Sequence, residues 1–351
     1  MLSGLGRLLR SASTSSLTGG CQRANKFLGA VSGPNEQRKF DRLVQTSANR
    51  AGVDRGCPTS PQNLGRIKDE PFLLVSEIFS SIQGEGPFSG CPSVFLRLGL
   101  CNLECAWCDT KYTWLFQESR RDRIRARVEG KTGVAGSGSK HEPGDAHMPQ
   151  RSDMLTVYDR RKELRKLSVQ DVLEHIERAT KEIGAEAVVI TGGEPLLHAK
   201  PLSSVVPSLL EKLRLRVEFE TNGTLTPVGL TSWSRSETPR VYFNVSPKLA
   251  NSSQPVRQRL RWDVLQYFAT ELPNASAFKF VVDSEEDLAE VQQIVNRLKI
   301  STQRVWLMPQ ATTSAALAVA ARERVIPWCL RHGFRYSHRI HVSIWDDRRG
   351  V

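Results

Sequence analysis

The 351-residue chain contains no run of 18 apolar residues, and this absence excludes an ordinary membrane-spanning helix. No acidic residue precedes Glu36 and no continuous apolar segment lies near the start, so a secretory signal peptide is also excluded. Only seven cysteines are present, and an odd number argues against a framework of disulfides. No histidine precedes His141, which leaves cysteine as the nearest nitrogen or sulfur ligand for a metal site in that part of the chain.

The basic residues outnumber the acidic ones, but they are unevenly placed. Lys and Arg total 49 against 37 Asp and Glu, a net charge of +12 that suggests nucleic-acid binding. Residues 1–66 contribute +7 and residues 114–165 contribute +4, so the rest of the chain carries only +1. Because both basic segments look peripheral, we predict no direct contact with nucleic acid.

The first 35 residues combine arginines, leucines and a Ser/Thr cluster. An acid-poor, Arg- and Ser-rich, amphipathic start is typical of an organellar transit peptide, and an ordinary disordered tail is the alternative. Arg7 and Arg10 fall within the first ten residues, which favours mitochondria over plastids. Residues 36–68 are polar and interrupted by Pro and Gly. We therefore predict a transit peptide and linker over 1–68 and one catalytic domain over 69–351.

After Pro71, apolar strand-like runs alternate with amphipathic helical stretches. Ser168 with Asp171, and Ser284 with Asp287, match the Ser-x-x-acid start of a helix. The alternation predicts an α/β fold with a parallel sheet, open or closed toward a barrel, and chemistry at the carboxyl ends of the strands. The predicted strands are 93–100, 186–193, 216–223, 241–247, 278–284, 305–309 and 340–345, and the predicted helices are 168–183, 203–215 and 284–298.

Residues 114–165 interrupt this alternation. They contain a charge run from Arg120 to Arg127, then Gly-Ser-Gly-Ser from Gly136 and a polar stretch to Gln150. A structureless segment of this length inside a compact domain is either disordered or a functional loop. We predict that this insert is disordered; the alternatives are that it covers the active site or contacts an electron donor.

Three cysteines, Cys101, Cys105 and Cys108, directly follow the first predicted strand. The C-x3-C-x2-C spacing lets one loop surround a soft metal centre, either an iron–sulfur cluster or zinc. A [4Fe–4S] cluster normally takes four thiolates, so three would leave one iron open to an outside ligand. Structural zinc needs four ligands, and Cys91 is the nearest fourth. The other cysteines are isolated and are predicted to lie in the presequence, linker and core: Cys21, Cys57 and Cys329.

A second motif, Thr-Gly-Gly-Glu-Pro at 191–195, ends the predicted strand 186–193. Two glycines at a strand end allow a ligand to approach the backbone closely, although such a turn alone is weak evidence. Together with the cysteine loop, this motif resembles the paired signatures of radical S-adenosylmethionine enzymes. In that superfamily the open iron binds S-adenosylmethionine, and the reduced cluster releases a 5′-deoxyadenosyl radical.

Further segments resemble one branch of that superfamily, the 7-carboxy-7-deazaguanine synthase family of queuosine biosynthesis. The resemblance covers about 72–113 and 166–351. It implies a partial β6/α3 TIM-like barrel, a homodimer, and a lyase that converts 6-carboxy-5,6,7,8-tetrahydropterin by hydrogen abstraction at C6, ring contraction and ammonia loss. The segments that carry it are EIFSSIQGEG at 77–86, DTKY at 109–112, FETNG at 219–223, NVSPK at 244–248, FKFVV at 278–282, HVSIW at 341–345 and RGV at 349–351.

The resemblance also implies roles for individual residues. Cys101, Cys105 and Cys108 would hold the [4Fe–4S] cluster, and Thr110 would bind Mg²⁺, which prefers hard oxygen ligands. Arg97 would hold the substrate carboxylate through a forked contact, and Gln83 would pair with the pterin edge. Ile82, Gly84 and Thr191 would also face the substrate. The residues expected around S-adenosylmethionine are Trp107, Cys108, Asp109, Gly193, Glu220, Ser246, Pro247 and Lys248.

The chain departs from the family pattern in two places. The insert is longer than the usual connection, and 305–309 reads VWLMP where many relatives have Gln-Pro, so no cofactor contact is assigned there. An electron donor of the ferredoxin or flavodoxin type is expected. Two other functions remain open: a different radical S-adenosylmethionine enzyme such as a glycyl-radical activase, and a zinc-stabilised RNA-binding module that uses Cys91. The motif at 82–85 and Thr110 argue against the activase.

Overall fold

The computed structural model describes residues 71–132 and 156–351, in which one nine-stranded sheet organises the chain. The predicted transit peptide and linker, and the middle of the insert, lie outside the described residues. The strands are β1 (Phe72–Ile82), β2 (Pro92–Leu98), β3 (Arg165–Ser168), β4 (Ala187–Gly192), β5 (Arg216–Thr221), β6 (Val241–Val245), β7 (Ser276–Val282), β8 (Val305–Pro309) and β9 (Arg335–Tyr336).

The strand order is β3-β1-β2-β4-β5-β6-β7-β8-β9. From β2 to β9 every neighbouring pair is parallel, whereas β1 pairs antiparallel with both β2 and β3. Within the described ranges β3 and β9 remain the two edges, so the sheet does not close into a full barrel. This architecture confirms the predicted α/β, partial-barrel fold.

Helices connect most of the parallel strands, as parallel pairing requires a crossover. Ser168 and Ser284 each cap a helix in a reciprocal box with the aspartate three residues later, as predicted. Among the described residues no helix is long and apolar enough to cross a membrane. The helices are α1 (Glu118–Thr132), α2 (Arg160–Glu163), α3 (Val169–Ile183), α4 (Ala199–Glu211), α5 (Val256–Arg259), α6 (Trp262–Thr270), α7 (Glu285–Leu298), α8 (Ser314–Ala320), α9 (Ile326–His332) and α10 (Ile340–Trp345).

The core lies where the parallel strands meet the helices. Phe219, Phe243, Phe278 and Phe280 are fully buried, and the rings of Phe219 and Phe243 stack with their centroids 5.1 Å apart. All seven residues of β7 are buried, which explains why its sequence is apolar without strict alternation. This rigid sheet holds the strand ends that form the site.

The local predictions of secondary structure differ from the structure in three respects. Helix α4 begins and ends four residues earlier than the predicted 203–215. Residues 340–345 form helix α10 and not the predicted strand. Six residues are too few for the helical and strand periods to be told apart, and the β-branched residues favoured the strand prediction. The helix packs against α8, and Val342 is buried there. Strands β1, β3 and β9 were not predicted; β3 and β9 have only four and two residues, too few to show a period.

The expectation that the insert 114–165 is disordered is wrong for its two described ends, 114–132 and 156–165. Residues Glu118–Thr132 form α1, and residues 160–168 form α2 and β3. Propensity alone could not show this, because α1 has few apolar residues and its mean hydropathy is low. Its order comes from contacts with another loop, described below.

Candidate active site

A cavity of about 310 Å³ opens where the parallel strands end. Such a position is expected for α/β sheets, since loops at the carboxyl ends of the strands converge there. Pro247 does not line the cavity, although its neighbours on both sides do. The other predicted site residues all line it: Ile82, Gln83, Gly84, Arg97, Cys101, Cys105, Trp107, Cys108, Asp109, Thr110, Thr191, Gly193, Glu220, Ser246 and Lys248.

The three cysteines occupy the loop that follows β2. All three thiols line the cavity, and Cys105 is buried while Cys101 and Cys108 are partly exposed. Burial raises the pKa of the Cys105 thiol to about 12, although Lys248, Lys111 and Arg127 act in the opposite direction. Burial likewise raises the pKa of Cys101. Thiols in this environment become thiolates when a cationic metal centre replaces the missing solvation.

The donor set suits an iron–sulfur cluster better than zinc. Cys91 precedes β2 and Cys101 follows it, so the length of the strand separates them by about 20 Å. Cys91 therefore cannot join the triplet as the fourth ligand of a single ion. Within 71–132 and 156–351, no three His, Cys, Asp or Glu side chains converge on one metal ion. A four-iron cluster spaces its thiolates more widely than a single ion does, and cysteine thiolates are the ligands that such clusters take.

The two glycines at the end of β4 permit close packing against the cysteine loop. A Cβ atom on Gly192 would lie 2.0 Å from the Leu98 carbonyl oxygen, and one on Gly193 would lie 2.0 Å from that of Leu100. The Gly193 position is also next to the Cβ of Cys101, at 3.1 Å. Gly192 has a φ of 131°, which residues with side chains rarely adopt. The motif thus brings the β4 backbone and the thiols to one wall.

Glu194 of the same motif does not line the cavity. It is fully buried and accepts hydrogen bonds from the Leu196 amide, the Thr221 hydroxyl and the Asn222 amide at 2.7–3.0 Å. Burial raises the pKa of Glu194, and these donors oppose that shift. The side chain therefore ties the end of β4 to the end of β5.

Five charged side chains form a connected network beside the thiols. The Lys279 Nζ lies 2.5 Å from Glu85 and 2.7 Å from Glu220, and its side chain is only 4% exposed. Arg339 links Glu85 to Asp109. Burial alone would raise the pKa of Glu85, but Lys279 and Arg339 outweigh it and hold the pKa far below its usual value. Burial keeps the pKa of Glu220 raised.

Comparison with known proteins gives one consistent result. The model of the radical SAM superfamily matches residues 97–261. A protein named 7-carboxy-7-deazaguanine synthase from Hyperthermus butylicus is 32% identical over 78% of this chain and 92% of its own length. Proteins of the same name from Halobacterium salinarum (31% identity, 80% and 93%) and Escherichia coli K12 (28%, 76% and 96%) also match.

This chain belongs to the 7-carboxy-7-deazaguanine synthase family. The crystal structure of QueE from Escherichia coli aligns over 77% of this chain and 95% of that chain, with 26% identity and a TM-score of 0.48.

Two residues that the family resemblance assigns to substrate have partners in the protein. Arg97 donates from Nε to Glu77 at 2.8 Å, and its terminal nitrogens donate no hydrogen bond to any described residue. Gln83 is buried; its Nε2 donates to Glu218 at 3.0 Å, and its Oε1 accepts from the Glu85 amide at 3.2 Å. The two terminal nitrogens of the Arg97 guanidinium are thus available to a substrate. In the Gln83 amide, one N–H and one lone pair of the oxygen are already used within the protein.

Lys248 and Trp107 meet at the wall expected to hold S-adenosylmethionine. The Lys248 ammonium lies 5.5 Å from the centre of the Trp107 ring and donates to the Ser246 hydroxyl at 3.0 Å. The Trp107 indole donates to Asn251 at 3.1 Å. These contacts order the strand end of β6 against the cysteine loop of this family member.

Sequence reasoning missed Glu85, Lys279 and Arg339 as site residues. Glu85 and Lys279 lie inside segments that carry the family resemblance, at 77–86 and 278–282. A single lysine in the middle of an apolar strand was the available signal, since buried lysines need charged partners. Nothing near Arg339 in the sequence predicted its place, because Glu85 and Asp109 are more than 200 residues away.

Proposed function

We propose that this chain converts 6-carboxy-5,6,7,8-tetrahydropterin to 7-carboxy-7-deazaguanine, with loss of ammonia. The observation that carries the proposal is that one cavity joins the three thiols, the glycine end of β4 and the half-available guanidinium of Arg97. The names of the matched family members support the same product. The reaction is that of a radical carbon–nitrogen lyase.

The cofactors are a [4Fe–4S] cluster and S-adenosylmethionine, held by the wall that contains the cysteine loop. When bound, they would supply a carbon-centred radical that takes a hydrogen atom from the substrate. Gly193 offers backbone without a side chain in that wall, and Lys248 and Glu220 offer charges of opposite sign there. The other residues proposed for S-adenosylmethionine are Trp107, Asp109 and Ser246, and Pro247 lies between two residues that line the cavity.

The substrate would lie against β1 and β2. The terminal nitrogens of Arg97 are the proposed donors to its carboxylate, because Glu77 already holds the Nε. Glu77 also accepts from the Tyr112 hydroxyl at 3.2 Å and from Arg349 at 3.2 Å, which limits the rotamers of this group. Ile82, Gly84 and Thr191 complete this wall, and Gln83 offers its remaining N–H and lone pair to the pterin.

Mg²⁺ is proposed to bind at Thr110. Its hydroxyl lines the cavity and does not cap the following turn, although threonine often does so at such a position. The hydroxyl lies 3.5 Å from the Cys108 sulfur, which places a hard oxygen beside the thiols. Mg²⁺ uses few protein ligands and completes its shell with substrate and water oxygens.

The remaining assignments are proposals that rest on the sequence and the family. They are a homodimer, an electron donor of the ferredoxin or flavodoxin type, and mitochondrial import through residues 1–68. The net charge of +7 over residues 1–66 supports the last of these.

The decisive experiment is anaerobic reconstitution of the full chain with iron and sulfide. We expect about four irons per chain and turnover of the carboxylated pterin with S-adenosylmethionine, Mg²⁺ and a reductant. Cleavage of S-adenosylmethionine without turnover of the pterin would indicate a different radical enzyme. Stoichiometric zinc without cleavage would contradict both enzymatic functions.

A further inference from the structure

The helix α1 at the start of the insert turns back onto the cysteine loop. Three arginines of this helix converge on Glu104, which lies between the first two cysteines and is nearly buried. The shortest nitrogen–oxygen distances are 2.9 Å for Arg120, 2.5 Å for Arg123 and 3.1 Å for Arg127. A carboxylate has two oxygens that together accept several donors, so one side chain can bind all three.

The same arginines also hold the loop backbone. Arg120 Nη2 donates to the carbonyl oxygen of Cys101 at 2.9 Å, and Arg127 Nη2 donates to that of Glu104 at 3.1 Å. Gln254 also donates to the Glu104 carbonyl. Two carbonyl groups of the loop, one of them in a cluster-ligand residue, are therefore fixed by groups from outside the loop.

A small apolar cluster accompanies these polar contacts. Ile124 of α1 packs with Ala106, Trp114 and Leu115, and Cys101 and Cys108 contact the same cluster. The Arg120 guanidinium also lies 5.1 Å from the centre of the Trp114 ring. The helix thus contacts the cysteine loop through both charge and packing.

We propose that α1 is a positioning element for the cluster, and that Glu104, Arg120, Arg123 and Arg127 form a clasp that holds the cysteine loop in its ligating conformation. The inference rests on the proposed function only in taking the metal centre to be iron–sulfur. A loop of eight residues with three thiols loses much conformational entropy on binding a cluster, and the clasp removes that loss in advance.

The first test is hydrogen–deuterium exchange of the full chain without iron. Glu104→Gln and Arg123→Gln should raise the exchange rate of the amides in residues 101–108 about tenfold, since each removes charge-assisted hydrogen bonds. Exchange in β7 should not change. Arg125→Gln is the matched control, because Arg125 is exposed on the same helix and makes no hydrogen bond to Glu104.

The second test is the rate at which the reconstituted protein loses iron to a chelator. Glu104→Gln and Arg123→Gln should lose iron about tenfold faster than the wild type and Arg125→Gln. Arg123→Lys, which keeps the charge but not the fork, should recover part of the protection. Equal exchange and equal iron loss in the clasp variants and Arg125→Gln would overturn the inference. Neither readout requires pterin turnover, so failure of the proposed substrate would be recognised separately.

Discussion

Lys279 shows how a single buried charge organises one side of the cavity. Its ammonium lies between Glu85 and Glu220, and both carboxylates raise its pKa although burial opposes them. A cation in this place compensates two anions that would otherwise be poorly solvated. Its removal is therefore more costly than the loss of two ordinary surface pairs.

We expect Lys279→Met to lower the free energy of unfolding by about 3–5 kcal/mol at pH 8, measured by urea denaturation of the protein without iron. The loss should be smaller at pH 5, because Glu220, which has lost its cation, then binds a proton in the folded state, whereas Glu85 keeps Arg339 as a partner. Lys181→Met, which removes an exposed cation, should change stability by less than about 0.5 kcal/mol. An equal effect of the two variants would show that the network is not buried in solution.

Arg97 is expected to recognise the substrate carboxylate through its geometry as well as its charge. Arg97→Lys keeps the cation but loses the fork, so KM for the pterin should rise at least about tenfold with a smaller change in kcat. Arg335→Lys, on the exposed edge strand β9, is the control. An unchanged KM in Arg97→Lys would assign the carboxylate to another group.

Thr110 can be tested through its hydroxyl. Thr110→Ala should lose most of the stimulation by Mg²⁺ and retain iron, because only the hard oxygen is removed. Thr110→Ser keeps that oxygen and should retain the stimulation. Magnesium dependence that is the same in all three proteins would refute the assignment.

At the level of secondary structure, the end of β4 depends on residues without side chains. Gly193→Ala would place a methyl group 2.0 Å from the Leu100 carbonyl, so the strand end and the cysteine loop must separate. We expect a loss of about 1–3 kcal/mol in unfolding free energy and a large loss of bound iron. The matched control is Gly130→Ala on α1, where a Cβ meets nothing within 4 Å. Normal iron content in Gly193→Ala would contradict the close packing.

The helices show how far local rules reach. The Ser-x-x-Asp starts at Ser168 and Ser284 predicted two helices within one residue, because a capping box needs only four consecutive residues. Helix α1 has no such signal, and the apolar, β-branched residues of 340–345 resemble a strand although they form helix α10. In both places the helix is decided by what it packs against: the cysteine loop for α1 and helix α8 for α10.

At the scale of the whole molecule, the net charge of +12 does not describe the catalytic domain. Three of the arginines in the basic insert neutralise Glu104, and the largest positive contribution comes from residues 1–66. The positive charge is therefore concentrated in the segment proposed for import and in the helix of the proposed clasp.

We expect residues 1–66 fused to a fluorescent reporter to direct it to mitochondria, because their composition is that of a transit peptide. Replacing Arg7, Arg10 and Arg23 by Gln should reduce import and leave the reporter in the cytosol. A wild-type fusion that stays in the cytosol would overturn the targeting prediction.

The sequence by itself determined the parts whose chemistry lies in consecutive residues: the three-thiol loop, the glycine strand end, the strand–helix alternation and two helix starts. Only the tertiary structure decided that β2 separates Cys91 from the three cysteines of the site, and that Lys279 bridges Glu85 and Glu220. It also decided that three arginines of α1 form ion pairs with Glu104. Lys279 and Glu85 are 194 residues apart along the chain. Such contacts leave no local period or spacing, because they exist only once the sheet has brought its strand ends together.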